Sequence, residues 1–256
     1  MNIIKYLLLP LMILISGCSS SQLVQSTFND QIVIDGINKE WGSTLKNIEG
    51  KNISFGFANN KDFLYVTLIT NERNIIRKIV MNGMTMWLES SEGELGVKYP
   101  FRMETSELRM MRMEESDQLQ RKEPGAMMDL LKGREDMQII NKEDLPLYTY
   151  NAEAGQNYKA KIKMDKDVFV YEMQIPLKDD ISKRVFGNNV KEVKVNFKTG
   201  EMDRDEMRGN NNQGMQGGGG RSGRGGGGMK NQGGMRPPRE KMDFNVMDYS
   251  FKVELK

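Results

Sequence analysis

The chain has 256 residues, one cysteine and no histidine, and its formal net charge at pH 7 is +2. The missing histidine excludes the Ser-His-Asp and Cys-His nucleophile systems and histidine-ligated metals, and a near-neutral balance gives no reason to expect a polyanionic partner such as nucleic acid. No pair of carboxylates stands out among the 35 acidic residues, so the composition favours a protein that is not an enzyme.

The first 17 residues predict a secretory signal peptide. One positive charge, Lys5, precedes an apolar run over 6–15, and small residues follow directly before Cys18. The run is about half the length that a transmembrane helix needs. The residues over 14–18 resemble the lipobox of bacterial lipoproteins. The resemblance implies cleavage before Cys18, diacylglycerol on its sulfur, and a mature protein held at a membrane.

Residues 18–30 start with small polar side chains and are predicted to form a flexible tether between the lipid and the folded body. The residue after the cysteine, Ser19, is not the acidic residue that retains some lipoproteins at an inner membrane. We therefore expect a lipid-anchored protein of the cell envelope, at the outer membrane rather than the inner one.

Residues 31–256 are predicted to form a single all-β domain. Apolar side chains recur there with period two, which is typical of half-buried strands. The alternating runs lie at 53–57, 64–68, 169–175, 193–197 and 249–255. Polar turn-forming residues separate them. Many strands and few helices favour an antiparallel β-sandwich or a partly closed barrel.

Two segments interrupt this pattern. Residues 101–136 lose the alternation, are rich in methionine, and predict a partly helical insertion, with a short helix near Met127. Residues 201–241 are rich in glycine and predict a disordered loop before the last strand, because they cannot bury enough apolar surface. The arginines of this loop have no aromatic side chains between them that would stack on RNA bases, so the loop does not indicate RNA binding.

Four short segments of the domain follow one another in a recognisable order. They are Ile32-Val33-Ile34-Asp35-Gly36-Ile37-Asn38-Lys39-Glu40-Trp41, Asp62-Phe63-Leu64-Tyr65-Val66, Trp87-Leu88-Glu89 and Tyr171-Glu172-Met173-Gln174-Ile175-Pro176-Leu177. This order and spacing resemble the family 9 carbohydrate-binding modules and their DOMON-like relatives. The resemblance implies a β-sandwich of the kind that binds sugar ends, cellulose or xylan, often with structural calcium, while other members hold haem.

Trp87 and Glu89 are the candidate ligand-binding residues. Trp87 shares the polar face of its predicted strand with Glu89, so a sugar ring could stack on the indole while the carboxylate accepts hydroxyl bonds. The alternative is that the insertion covers Trp87 and buries it. A second aromatic for a clamp would have to be Tyr65, Tyr99 or Tyr148. The other tryptophan, Trp41, is expected to fold back as a core residue over the open end of the sandwich.

The sequence thus predicts a membrane-anchored, non-catalytic, carbohydrate-binding or accessory lipoprotein. The alternative is a scaffold lipoprotein that has the fold but no sugar site and contacts envelope proteins. Two further alternatives involve methionine. The cluster of Met110, Met111 and Met113 has the soft ligands that suit Cu(I), although methionine as an apolar filler explains it more simply. Haem would need a Met/Lys pair, since histidine is absent.

Overall fold

The computed structural model describes residues 22–100, 127–132, 134–187, 190–200 and 246–256. The predicted signal peptide with Cys18, residues 101–126 and 133 of the insertion with its methionine cluster, and the glycine-rich loop over 201–241 lie outside the described residues.

The described chain contains thirteen strands. They are β1 (Gln22–Gln25), β2 (Thr27–Phe28), β3 (Leu45–Asn47), β4 (Ile53–Asn59), β5 (Phe63–Thr70), β6 (Met84–Glu89), β7 (Glu94–Tyr99), β8 (Asp136–Ile140), β9 (Pro146–Asn151), β10 (Lys159–Asp165), β11 (Val168–Pro176), β12 (Glu192–Thr199) and β13 (Asp248–Glu254). The helices are α1 (Arg73–Asn82) and α2 (Lys183–Phe186), with 3₁₀ turns at Asn38–Glu40, Gly42–Thr44 and Met128–Leu131.

The strands form two sheets. The seven-stranded sheet has the order β1-β13-β12-β6-β7-β8-β9, and the six-stranded sheet has the order β10-β11-β5-β4-β2 with β3 also paired to β4. All pairs are antiparallel except β1 with β13 and β2 with β4. The predicted all-β, antiparallel β-sandwich is therefore confirmed.

The main core lies between the two sheets, where inward-facing aromatic side chains meet. Phe55 of β4 lies 4.7 Å from Phe197 of β12 and 4.8 Å from Phe251 of β13, measured between ring centroids. Burial of such rings removes large apolar surfaces from water, which is the dominant force that holds the sheets together.

A second, smaller core covers the outer face of the six-stranded sheet. Its members are Ile32, Trp41, Ala58, Tyr65, Ile69 and Val170. Because the loop over 32–45 covers this face, β5 and β11 are buried on both faces. The prediction that these two strands are half-buried is therefore wrong, and their near-continuous apolar sequences have a physical reason.

The predicted tether over 18–30 is too long, because residues 22–28 are part of the sandwich. β1 pairs with β13 and β2 pairs with β4, so this segment joins both sheets. Between the two strands, buried Ser26 donates its hydroxyl to the backbone oxygen of Glu254 at 2.9 Å and to the side chain of Asn59. The described part of the domain begins at Gln22, so a tether can extend at most over residues 18–21.

Helix α1 was not predicted from the sequence. It buries Ile76, Ile79 and Val80, and it ends at Gly83, which has a φ of 72° and donates its N–H to the oxygen of Ile79 at 2.9 Å. With a ψ of 175°, Gly83 lies in a region of backbone space that essentially only glycine populates, which lets the helix end there and the chain enter β6. Within the part of the chain that the structure describes, neither helix is long and apolar enough to cross a membrane.

Candidate ligand-binding face

Trp87 lies on the outer face of the seven-stranded sheet. Along β6, Met84, Met86 and Leu88 are fully buried in the core, whereas Trp87 and Glu89 point outward and are half-buried. β6 lies in the middle of its sheet, between β12 and β7. The indole is therefore at the centre of a broad β-sheet surface and not at its edge.

Strand pairing places three further residues in line with the indole. Trp87 pairs with Gly96 of β7 on one side and with Asn196 of β12 on the other, and Asn196 pairs with Ser250 of β13. We call Gly96, Trp87, Asn196 and Ser250 the Trp87 row. Because neighbouring strands are about 4.8 Å apart, the row extends about 14 Å across the sheet.

The absence of a side chain at Gly96 leaves the space that the indole of Trp87 occupies. A Cβ atom at Gly96 would lie 2.9 Å from Cζ3 of Trp87 and 2.5 Å from Cγ1 of Ile140, which is closer than atoms of these types can approach. The indole edge and the Ile140 side chain therefore meet over the bare backbone of β7. A residue without a side chain is needed here for close approach, since no positive φ requires it.

Two polar atoms of the row lack a hydrogen-bond partner. Oδ1 of Asn196 and Oγ of Ser250 are shielded from solvent and accept or donate no hydrogen bond within the described ranges. A buried oxygen without a partner costs about 1–3 kcal/mol, so such atoms are rare and call for an explanation. The two oxygens mark a position beside Trp87 where a hydroxyl donor would be stabilising.

Glu89 is already paired, which the sequence did not reveal. The Nζ of Lys194 donates to its carboxylate at 2.7 Å, and both side chains are about two-fifths exposed. The pair neutralises the charge of Glu89, and it leaves the other carboxylate oxygen as an acceptor for a ligand. Glu89 can thus contribute to binding only together with Lys194.

None of the three tyrosines considered as a second aromatic lies on this face. Tyr65 belongs to the small core on the outer face of the other sheet, and Tyr99 points from β7 into the main core. Tyr148 lies on edge strand β9 and stacks on Tyr150. A clamp that pairs Trp87 with one of these rings is therefore absent from the structure.

Trp41 has a structural role that joins two of the sequence segments. It is fully buried, and its Nε1–H donates to Oε1 of Glu172 at 2.7 Å. The other carboxylate oxygen accepts the backbone N–H of Gly36 at 2.7 Å and of Asp35 at 3.0 Å. Trp41 is thus a core residue, as predicted, but it packs beside Gly56 on the outer face of the six-stranded sheet and not over the open end.

Burial raises the pKa of Glu172 to about 7, against the three hydrogen bonds that favour its charged form. The carboxyl has no exposed surface and accepts from donors that belong to the protein itself. Its perturbed pKa therefore arises from a structural latch between the loop over 32–45 and β11.

The described ranges contain no group of three or more acidic or cysteine side chains arranged to hold a metal ion. Calcium, which the family resemblance implies, stays a prediction. The methionine cluster over 110–113 lies outside the described residues, so Cu(I) binding also stays untested.

A cavity of about 450 Å³ lies near the end of β7, with Tyr99, Ile162 and Met164 in its apolar wall. Its rim carries charges of both signs, including Arg134 and Glu153, and Glu153 is ion-paired with Lys161. The aromatic side chain in its wall, Tyr99, is 4% exposed and belongs to the main core, so it offers no ring face for a sugar, and this cavity is a weaker candidate than the Trp87 row.

No protein-family model matches the chain, and no curated protein matches it significantly. Its structure is similar to a family 9 carbohydrate-binding module from Caldicellulosiruptor kristjanssonii in complex with glucose, at 12% identity and a TM-score of 0.34, over 72% of this chain and 81% of that chain. The same module in complex with cellotriose gives 12% identity and a TM-score of 0.33, over 72% and 80%. A protein from Bacteroides uniformis proposed to bind carbohydrate gives 10% identity and a TM-score of 0.36, over 70% and 84%. These likenesses are distant, and no residue role is transferred from them.

Proposed function

We propose that the protein is a non-catalytic glycan-binding module and that its ligand lies along the Trp87 row. The supporting observation is a half-buried indole in register with Asn196 on the next strand and with Ser250 on the strand after that, whose Oδ1 and Oγ have no hydrogen-bond partner among the described residues. A sugar ring has a flat C–H face that can stack on an indole and hydroxyl groups at its rim that can donate to such oxygens.

The electrostatics of the face favour an uncharged ligand. The nearest carboxylate along β6, Glu89, is neutralised by Lys194 at 2.7 Å. A neutral ligand leaves the existing ion pair intact, whereas an ionic ligand would compete with it, and an anionic ligand would also meet the carboxylate of Glu94, directly opposite Glu89. Neutral oligosaccharides meet this requirement better than phosphorylated or acidic ligands.

The shape of the face favours the interior of a glycan chain over its end. The Trp87 row runs about 14 Å across four neighbouring strands, which is long enough for several linked sugar rings. Chain ends are usually recognised in closed pockets that surround the ligand, but the Trp87 row lies on a sheet surface. We therefore expect oligosaccharides to bind better than the monosaccharide.

We also propose that the module is anchored in the outer membrane through lipid on Cys18. The signal peptide and the residues over 14–18 support this anchoring, and the start of β1 at Gln22 limits the distance. Four residues of extended chain reach about 14 Å at most. The module would then be held close to the membrane surface rather than on a long tether.

The test is glycan binding by the purified full-length chain in detergent, first on an oligosaccharide array and then by calorimetry. Trp87→Ala should weaken binding about fivefold or more, because aromatic stacking contributes on the order of 1 kcal/mol. Its stability should fall by less than the 3–5 kcal/mol that a fully buried tryptophan would lose, because the side chain is half-buried.

Thr85→Ala is the matched control, because Thr85 is a half-buried residue of the same face of β6 and lies outside the Trp87 row. It should leave the affinity unchanged. Equal glycan binding by the Trp87→Ala protein would refute the proposed site. If the wild-type chain binds no glycan at all, the scaffold role becomes the better explanation of the fold.

A further inference from the structure

Three tyrosine rings form a stacked ladder at the edge of the seven-stranded sheet that β9 forms. Tyr148 and Tyr150 lie on β9, with ring centroids 6.3 Å apart and planes inclined by 29°. Tyr150 stacks in turn on Tyr158, at 5.1 Å and 21°. Tyr158 lies directly before β10, so the ladder links the edge strands of the two sheets.

The inner end of the ladder is firmly held. Tyr158 is 1% exposed, and its hydroxyl donates to Oδ1 of Asp179 at 3.2 Å. The same carboxylate oxygen accepts the backbone N–H groups of Ile181 and Ser182 at 3.1 and 2.6 Å. Burial raises the pKa of Tyr158 and of Tyr150 above the usual value, so the rings remain uncharged phenols at neutral pH.

The outer end of the ladder is exposed. Tyr148 is 53% exposed although one face of its ring stacks on Tyr150. Its ring orientation is therefore fixed by the stack while a large part of its surface faces solvent. A preorganised aromatic surface loses little conformational freedom when a ligand binds, which makes it an efficient platform.

The exposed ring has polar groups on its own side of β9. Tyr150, two residues further along the strand, carries a hydroxyl beside the stack, and, besides burial, the charge of Asp179 acts on that phenol and helps to raise its pKa. A ligand here must stack a flat apolar face on a phenol ring and also tolerate water and polar groups at its rim. A pyranose ring of a neutral oligosaccharide meets both requirements.

We infer that the tyrosine ladder is a second sugar-stacking site, with the ring of Tyr148 as its platform for a neutral oligosaccharide. The site is separate from the Trp87 row, because Tyr148 lies on edge strand β9 and Trp87 lies three strands away on the central strand β6. A glycan could thus be bound at two places on the same sandwich, and the two sites can be tested separately.

The experiment uses the full-length chain labelled with 3-fluorotyrosine in detergent, observed by fluorine NMR. Tyr148→Phe removes one resonance of the eight tyrosines and so assigns it. Cellohexaose, xylohexaose and maltohexaose are the probes. At least one of them should shift the Tyr148 resonance, and the shift should persist in the Trp87→Ala protein because the two sites are separate.

Calorimetry with the same hexaose completes the test at the ladder. Tyr148→Ala should lower the affinity of this site about fivefold or more, Tyr148→Phe should retain it because the ring face is kept, and Thr149→Ala should leave it unchanged. A Tyr148 resonance that no hexaose moves would overturn this inference. If only the Trp87→Ala protein loses binding, the site at Tyr148 is overturned and the Trp87 row is supported. If only the Tyr148→Ala protein loses binding, the Trp87 row is overturned and the site at Tyr148 is supported.

Discussion

The stability of the protein should fall as the pH rises from about 4.5 to about 7, because of Glu172. This carboxyl is fully buried, and burial raises its pKa from 4.5 to about 7 in the folded state. The folded protein therefore holds the proton more tightly than the unfolded chain does. The resulting stabilisation is fully present below about pH 4.5, and it is lost as the pH rises through the folded-state pKa.

The shift sets the size of the effect. One pKa unit corresponds to about 1.4 kcal/mol, so a rise from 4.5 to about 7 corresponds to about 3 kcal/mol in the free energy of unfolding. Above about pH 7 the carboxylate is charged in both states, and Glu172 no longer contributes a pH dependence. The hydrogen bonds from Trp41, Gly36 and Asp35 continue to hold the charged form in place.

Urea denaturation of the full-length chain at pH 5, 6, 7 and 8 measures this effect. Glu172→Gln is the control, because glutamine has nearly the same size and does not titrate. Its NH2 group meets the N–H donors of Gly36 and Asp35, which lowers its stability at every pH, so only the slopes of the two proteins are compared. The slope between pH 5 and 7 should be present in the wild type and smaller in the variant. If both proteins show the same slope, the buried carboxyl is not its source and the reasoning is refuted.

Two further predictions concern the Trp87 row and the anchor. Gly96→Ala should destabilise the protein by about 1–3 kcal/mol and weaken glycan binding, because its methyl group would collide with Ile140 and the indole. Gly42→Ala is the control, because nothing lies within 4 Å of a Cβ atom at that position. Equal melting temperatures for the two variants would contradict the steric argument. Cys18→Ala should abolish lipid attachment, since the chain has no other thiol; incorporation of radiolabelled palmitate into this variant would show that Cys18 is not the acceptor.

The strands that the sequence predicted best are those with one face on the main core. In β12, Val193, Val195 and Phe197 are fully buried, while Lys194 and Asn196 between them are partly exposed. This alternation is a local property and can be read from the chain. Burial on the second face of β5 and β11 depends on the loop over 32–45, which is distant in sequence, so period two alone could not predict it.

Short edge elements were missed for a similar reason. β1 and β2 together have only six residues, and they pair in parallel with β13 and β4, which are distant in sequence. Polar residues over 18–30 indicate a tether on composition alone, and composition carries no information on pairing. The buried Ser26 is part of the fold only because Asn59 and Glu254 accept its hydroxyl.

The candidate site was predictable in its central residue and not in its neighbours. Period two placed Trp87 on the polar face of β6, where the structure also has it. Its alignment with Gly96, Asn196 and Ser250 depends on strand order and register, which span more than 160 residues. A Gly within an otherwise regular strand was the one local signal, because it indicates the close approach of another group.

Among the described residues, the two sheets differ in what covers their outer faces, and this difference favours the seven-stranded sheet as the proposed binding surface. The outer face of the six-stranded sheet is covered by Trp41 and its neighbours, and the Glu172 latch holds that cover in place. On the seven-stranded sheet, the corresponding outward positions of β6 and β12 carry partly exposed polar residues with Trp87 among them. A large aromatic at an outward position of such a strand is not needed for the main core, so a ligand-binding role explains it better than packing does.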